Sequence, residues 1–274
     1  MFKSLSLKVI LFGFIFTFFS SFGQSFFIGL FNSSIRETLS ISHGQFGTIY
    51  ASATLCSSLL VIWIGKKIDD VNVLKFAIFV TLLLSFASFF FSKTSSVLFL
   101  FAAIFLMRFS GQGMMSHTAS TTISRYFTKS RGRALSMIWF GLSSAEFILP
   151  VLIVYSLTLM AWQNIWIIIS ISVLIILPLA SYFLVKDVKL DTRETDQDTK
   201  FKEEKIKQWK RIEVLGDYRF YIISLNMLAM PWIATGVFVY QSFIVNSKGW
   251  GCLLYTSDAA DEGLGVDLGG RRII

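Results

Sequence analysis

Seven apolar runs constrain this chain more than any other feature. They cover roughly residues 9–31, 45–64, 74–92, 97–123, 134–158, 164–185 and 220–243. Each is long enough to cross about 30 Å of hydrocarbon at about 1.5 Å per helical residue. Lipid offers backbone groups no hydrogen-bond partners, so spanning segments are helices or a closed barrel. Apolarity here is continuous rather than alternating, which selects helices. The expectation is an all-α membrane protein. Charged residues supply only 15% of the chain, against about 25% in soluble domains. The first run begins like a signal sequence, behind Lys3 and Lys8. It continues to Phe31 with no small-x-small cleavage site, so it reads as a retained span. The second half of the fourth run is rich in Ser, Thr and Gly, and is expected to face other helices.

The net charge of +8 has a topological origin. With the N-terminus placed in the cytoplasm, 19 Lys and Arg fall on that side, against Arg36 and Lys93 on the other short loops. The positive-inside rule therefore puts the N-terminus inside, in a multi-pass plasma (inner) membrane protein. The bases lie between apolar runs and form no aromatic–basic stripe, so nucleic acid is not an expected partner; the lipid bilayer is. Residues 186–219 make the one long connection, with alternating acids and bases such as Lys202, Glu203, Glu204 and Lys205. It reads as a solvated, partly helical linker, with a partner- or lipid-binding site as the sharper alternative. Cys56 and Cys252 have no metal or disulfide spacing, and no cofactor or metal is expected. Residues 251–274, GCLLYTSDAADEGLGVDLGGRRII, resemble translated sequencing-adapter read-through and read as a non-native tail.

The loop between the second and third runs is Gly65-Lys66-Lys67-Ile68-Asp69-Asp70-Val71-Asn72. The link between the fourth and fifth is Arg125-Tyr126-Phe127-Thr128-Lys129-Ser130-Arg131-Gly132-Arg133. Together with SSFGQSFFIGLF in the first run, these stretches resemble the major facilitator superfamily over residues 9–250. Gly65 and Asp69 match the family's loop signature; Asp70 and Asn72 replace an expected base and an expected Gly. The resemblance implies a six-helix bundle over 1–185, a cytoplasmic central loop over 186–219, and the first helix of a truncated second bundle over 220–250. It also implies a cytoplasmic gate involving Gly65, Asp69, Arg131 and Arg133. A carboxylate at a helix N-terminus, worth about 0.3–1 kcal/mol, would bias such a gate; a short capped loop is the plainer alternative.

Arg108 lies near the middle of the fourth run. A guanidinium at that depth costs at least about 2.5–3.5 kcal/mol, so it should face water, a ligand or an acid. Glu146, near the middle of the fifth run, is the candidate acid. Pro150, four residues on, cannot donate to the Glu146 carbonyl, which predicts a kink. Gly141 and Ala145 form a small-residue patch for close helix approach. Three roles stay open: Arg108 binding an anionic substrate, Glu146 carrying a coupling proton, or a fixed ion pair. Gln112 shares the face of Arg108. Gln24, Asn226 and Gln241 either line the same cavity or make interhelical hydrogen bonds. An unbroken α-helix puts His117 on the face opposite Arg108, as a packing residue or a proton relay.

The intramembrane Arg favours a small organic anion or metabolite as solute, and the resemblance implies a secondary active carrier working by alternating access as a proton symporter. The full-length carrier is expected to be monomeric. The fragment is not expected to transport alone. No hydrolase, kinase or redox constellation is visible, and Gly111-Gln112-Gly113 lies inside a span rather than after a strand. The chain is therefore not expected to be an enzyme. The alternative class is a non-transport polytopic protein, such as a receptor or membrane-embedded enzyme.

Overall fold

A computed structural model describes residues 4–127, 130–186, 188 and 211–248. Within them lie seven helical segments long and apolar enough to cross a membrane: Leu5–Leu30, His43–Ile68, Val73–Ser92, Val97–Tyr126, Arg131–Leu159, Trp162–Val185 and Tyr218–Gln241. These are spans one to seven below. They agree with the apolar runs because backbone satisfaction in lipid leaves little choice once the length is present. The described residues form no strand. Most of the 186–219 connection, and everything after Lys248, lies outside the described residues, as do the binding site considered for the linker and the proposed non-native tail.

Short caps set the ends of several spans. Ser42 accepts from the Gln45 amide while the Gln45 side chain accepts from the Ser42 amide, closing a capping box ahead of span two. Asn72 accepts from Leu74 N–H at the start of span three, and Ser96 from Phe99 N–H at the start of span four. Ser40, with φ 52° in the left-handed region, ends the helix Asn32–Leu39 and turns the chain into span two.

Spans three and six pack along each other most extensively. Between them Ser85 Oγ donates to the Ser170 carbonyl (2.9 Å) and Ser170 Oγ to the Ser85 carbonyl (2.8 Å). Such reciprocal pairs hold helices together where lipid removes the hydrophobic drive. Span five packs along span one. Gly141 sits against the Phe14 carbonyl, where a Cβ would have no room, and Thr17 Oγ1 donates to the Ile138 carbonyl. The small patch at Gly141 and Ala145 thus meets span one. Pro150 lies inside the helix Arg131–Leu159, which continues through it. Span seven packs on the C-terminal part of span one, Ser25–Leu30, and is otherwise largely exposed.

Two spans depart from regular α-helix in their interior, besides the 3₁₀ turn Gly65–Asp69 that ends span two. Span one is an α-helix over Ser4–Ser20, a 3₁₀ turn over Ser21–Gly23, an extended Gln24 (φ −82°, ψ 157°) and a second helix over Ser25–Leu30. Span four is α-helical over Val97–Met107, π-helical over Arg108–Met115 and α-helical again over Ser116–Tyr126. The two irregular stretches touch.

Candidate functional site

The break in span one crosses the π segment of span four at Gly23 and Gly111. A Cβ on Gly23 would lie 2.5 Å from Gln112 N and 2.8 Å from Gly111 Cα; one on Gly111 would lie 2.7 Å from Gly23 Cα. Only glycine at both positions permits this backbone approach, because neither neighbour can swing aside. At the break Gln24 N–H bonds the Ser21 carbonyl and the Gln24 carbonyl accepts from Ile28 N–H, so the chain changes direction between two helices. The crossing brings the first residue of the π segment, Arg108, to the Gly23 carbonyl.

Arg108 is 4% exposed. Its Nη1 donates to the Gly23 carbonyl (3.1 Å) and to Ser25 Oγ (3.2 Å). Its Cζ stands 5.3 Å from the centroid of the Tyr50 ring, a cation–π contact worth about 0.5–2 kcal/mol. Tyr50 O–H donates to the same Ser25 Oγ at 2.9 Å. Ser25 therefore accepts two hydrogen bonds and retains its own O–H to donate. Among the described residues, the bonds from Arg108 use Nη1, and the buried Nε has no partner. Arg108 lines a cleft of about 290 Å³ together with Ser57, Ser58, Val61, Gln112 and Gly113. A buried cation with unused donors, set among hydroxyl and amide groups, is chemically suited to receive an anion.

The other sequence candidates fall in different places. Gln112 lines the cleft beside Arg108. Gln24 is half-buried at the break, next to Gly23 but not among the cleft-lining residues. Arg108 is held by Gly23 and Ser25, and span five, which carries Glu146, lies along span one. Glu146 is half-buried in span five. Asn226 differs from the cavity-lining expectation: it is exposed, and its Nδ2 donates to the Ile222 carbonyl one turn back. Gln241 also stands apart from the cleft, and its Nε2 donates to the Phe26 carbonyl at 2.7 Å, joining spans seven and one.

At the N-terminal side of the bundle, Gly65–Asp69 is a 3₁₀ segment. His117 Nε2 donates to the Gly65 carbonyl (2.8 Å), and Arg125 Nη1 reaches the Ile68 carbonyl at 3.4 Å. The π segment alters the helical phase between Arg108 and His117, so an unbroken 100° count does not apply. The side chain of Asp69 lies outside what is described; Arg131 and Arg133 are exposed in the first turn of span five. Sequence reasoning missed Ser25, Tyr50 and Ser57. Hydroxyls in an apolar run carry no distinguishing mark, although Ser20, Ser21, Gly23, Gln24 and Ser25 form a polar cluster among phenylalanines.

A family model described as the Major Facilitator Superfamily matches residues 13–264. The match extends past Trp250 into the segment read as foreign. No curated protein matches the sequence. Among solved structures, a bacterial homolog of the human lysosomal transporter Spinster, inward-facing and unoccupied, superposes with a TM-score of 0.74 at 18% identity, over 98% of this chain and 63% of that one. Its inward-facing, occupied form gives 0.69 at 17% identity, over 97% and 60%. The chain thus spans about three-fifths of the length of these structures.

Proposed function

Because the chain belongs to the major facilitator superfamily, we propose that it is the first part of a twelve-span secondary carrier that moves a small organic anion by alternating access. Family and fold make it a membrane transporter. The anionic solute is read from one observation: Arg108, buried at mid-span, keeps Nε without a protein partner while lining a polar cleft. A guanidinium that deep is costly, and an anion is the group that most reduces the cost. Gln112, Ser57 and Ser58 supply orientation around it, and Ser25 can donate its own O–H.

Residues 1–185 form the first bundle in this reading, 186–219 the central loop, and 220–250 the first helix of the second bundle, with 251–274 foreign. The N-terminus and central loop lie in the cytoplasm of a plasma-membrane protein, as the 19-to-2 distribution of bases favours. Glu146 carries the coupling proton, and the Gly65–Asp69 segment with Arg131 and Arg133 forms the cytoplasmic gate. The full-length carrier works as a monomer and has no enzymatic activity. The test is uptake into proteoliposomes by the full-length protein, with labelled organic anions and neutral metabolites and an imposed pH gradient. The expected result is gradient-driven accumulation of an anion, with Glu146→Gln abolishing accumulation but preserving exchange. Preference for a neutral solute would refute the anion reading, and unaltered accumulation by Glu146→Gln would refute the coupling.

A further inference from the structure

The break in span one divides it between two sets of partners. Its inner helix is fixed to span five, through Thr17 Oγ1 donating to the Ile138 carbonyl and through the close approach at Gly141. Its outer helix grips span seven. Gln241 Nε2 donates to the Phe26 carbonyl, Asn32 Nδ2 to the Val239 carbonyl, and the Phe26 and Phe238 rings meet at 6.2 Å. Gly29 lies directly against the Phe238 carbonyl, where a side chain would not fit. Nearby, Tyr240 O–H donates to the His43 carbonyl at the start of span two. Phe27 and Phe31 also rest on Trp166 of span six, at 5.5 and 5.1 Å, through ring contacts that can shift without breaking a hydrogen bond.

Gln24 joins the inner and outer helices, and its two neighbours are the groups that Arg108 holds. One nitrogen of Arg108 bonds both the Gly23 carbonyl, which ends the inner part, and Ser25 Oγ, which begins the outer part. Irregular backbone at membrane depth persists only where protein satisfies it, so this one side chain bears directly on whether the break keeps its shape.

We propose that Arg108 is a positioning residue that clasps the break in span one, and that residues 24–39 and the outer half of span seven form one mechanical unit released when the clasp opens. Both acceptors share Nη1, so any movement of the guanidinium weakens both bonds together. The outer unit is tied by hydrogen bonds to spans two and seven and, through Trp162 Nε1 donating to Thr38 Oγ1 (3.2 Å), to the first residue of span six; the inner helix is tied to span five, which the outer helix also touches. Opening the clasp therefore changes the angle at Gln24 without first disturbing the serine pair between spans three and six. A solute anion drawing Arg108 into the cleft would open it; that consequence rests on the anion reading above, whereas the clasp itself needs no solute.

Hydrogen–deuterium exchange of the 274-residue chain in lipid nanodiscs, with no solute added, tests the clasp apart from any transport reading. Arg108→Ala should speed exchange across 24–39 and 235–245 by about tenfold, the least that loss of a charge-assisted hydrogen bond implies. Peptides from 73–92 and 169–185, which hold the Ser85–Ser170 pair, should be unchanged. Unaltered exchange across 24–39 would overturn the proposal. If Arg108→Ala loosens every span alike, Ser25→Ala decides, because it removes one acceptor and leaves Gly23 to hold the charge. A rise confined to 24–39 and 235–245 in that variant supports the clasp; no local rise overturns it.

Discussion

Gly23→Ala gives a sharp test of the crossing between spans one and four. The new Cβ would fall 2.5 Å from Gln112 N and 2.8 Å from Gly111 Cα, whereas ordinary contact begins near 3.4 Å. The spans must then separate by roughly 0.6–0.9 Å, since backbone cannot rotate out of the way. That displacement lengthens the 3.1 Å bond from Arg108 to the Gly23 carbonyl beyond useful range, about 3.5 Å. Overpacking costs about 1–3 kcal/mol, and loss of a hydrogen bond from a charged donor about 1.5–3 kcal/mol. Together they predict a fall in Tm of at least about 5 °C. The assay is thermal unfolding in detergent micelles followed by near-ultraviolet circular dichroism. Gly132→Ala and Gly236→Ala are the controls, because a Cβ at either site meets nothing within 4 Å. Both lie within helices, where alanine is favoured by about 0.5–1 kcal/mol, so Tm should hold or rise slightly. A Gly23→Ala protein as stable as wild type, or one no worse than the controls, would refute the close crossing.

Other outcomes follow from the same geometry. A double-mutant cycle on Ser85→Ala and Ser170→Ala, read by unfolding free energy, should show coupling of about 0.6 kcal/mol, typical of hydrogen bonds between membrane helices; strict additivity would contradict the reciprocal pair. His117→Phe should destabilise by about 0.5–1.5 kcal/mol through loss of its bond to the Gly65 carbonyl, and His117→Gln should recover part of it in the same unfolding assay. Gly141→Val should be worse than Gly141→Ala in thermal unfolding, because span five lies against the Phe14 carbonyl at that point.

The spans were legible because length and continuous apolarity are physical requirements of the bilayer, independent of tertiary context. Arg108 was legible for a related reason, since a guanidinium at mid-span demands explanation from its position alone. Its partners were not legible. Glu146 was the obvious acid, whereas the Gly23 carbonyl and Ser25 Oγ, which Arg108 bonds, carry no charge to mark them in the sequence. The break at Gln24 lay within a run of phenylalanines whose hydropathy masked it. The π segment was hidden likewise: RFSGQGMM reads as ordinary helix, and only the contact between Gly111 and Gly23 gives the irregularity a purpose. The face expected for His117 assumed an unbroken 3.6-residue turn, whereas its hydrogen bond to the Gly65 carbonyl agrees with a packing role. Asn226 and Gln241 show the opposite problem. Polar side chains in a span have several inexpensive partners, and composition does not select between a cavity, a helix's own carbonyl and a neighbouring span.

The most direct test of an anion carrier centred on Arg108 is equilibrium binding of labelled organic anions to the full-length protein, compared with Arg108→Ala. Loss of one or two charge-assisted hydrogen bonds should weaken anion binding by at least about tenfold while leaving any neutral ligand's affinity unchanged. Equal anion affinity in both proteins would remove Arg108 from the solute site and contradict the account.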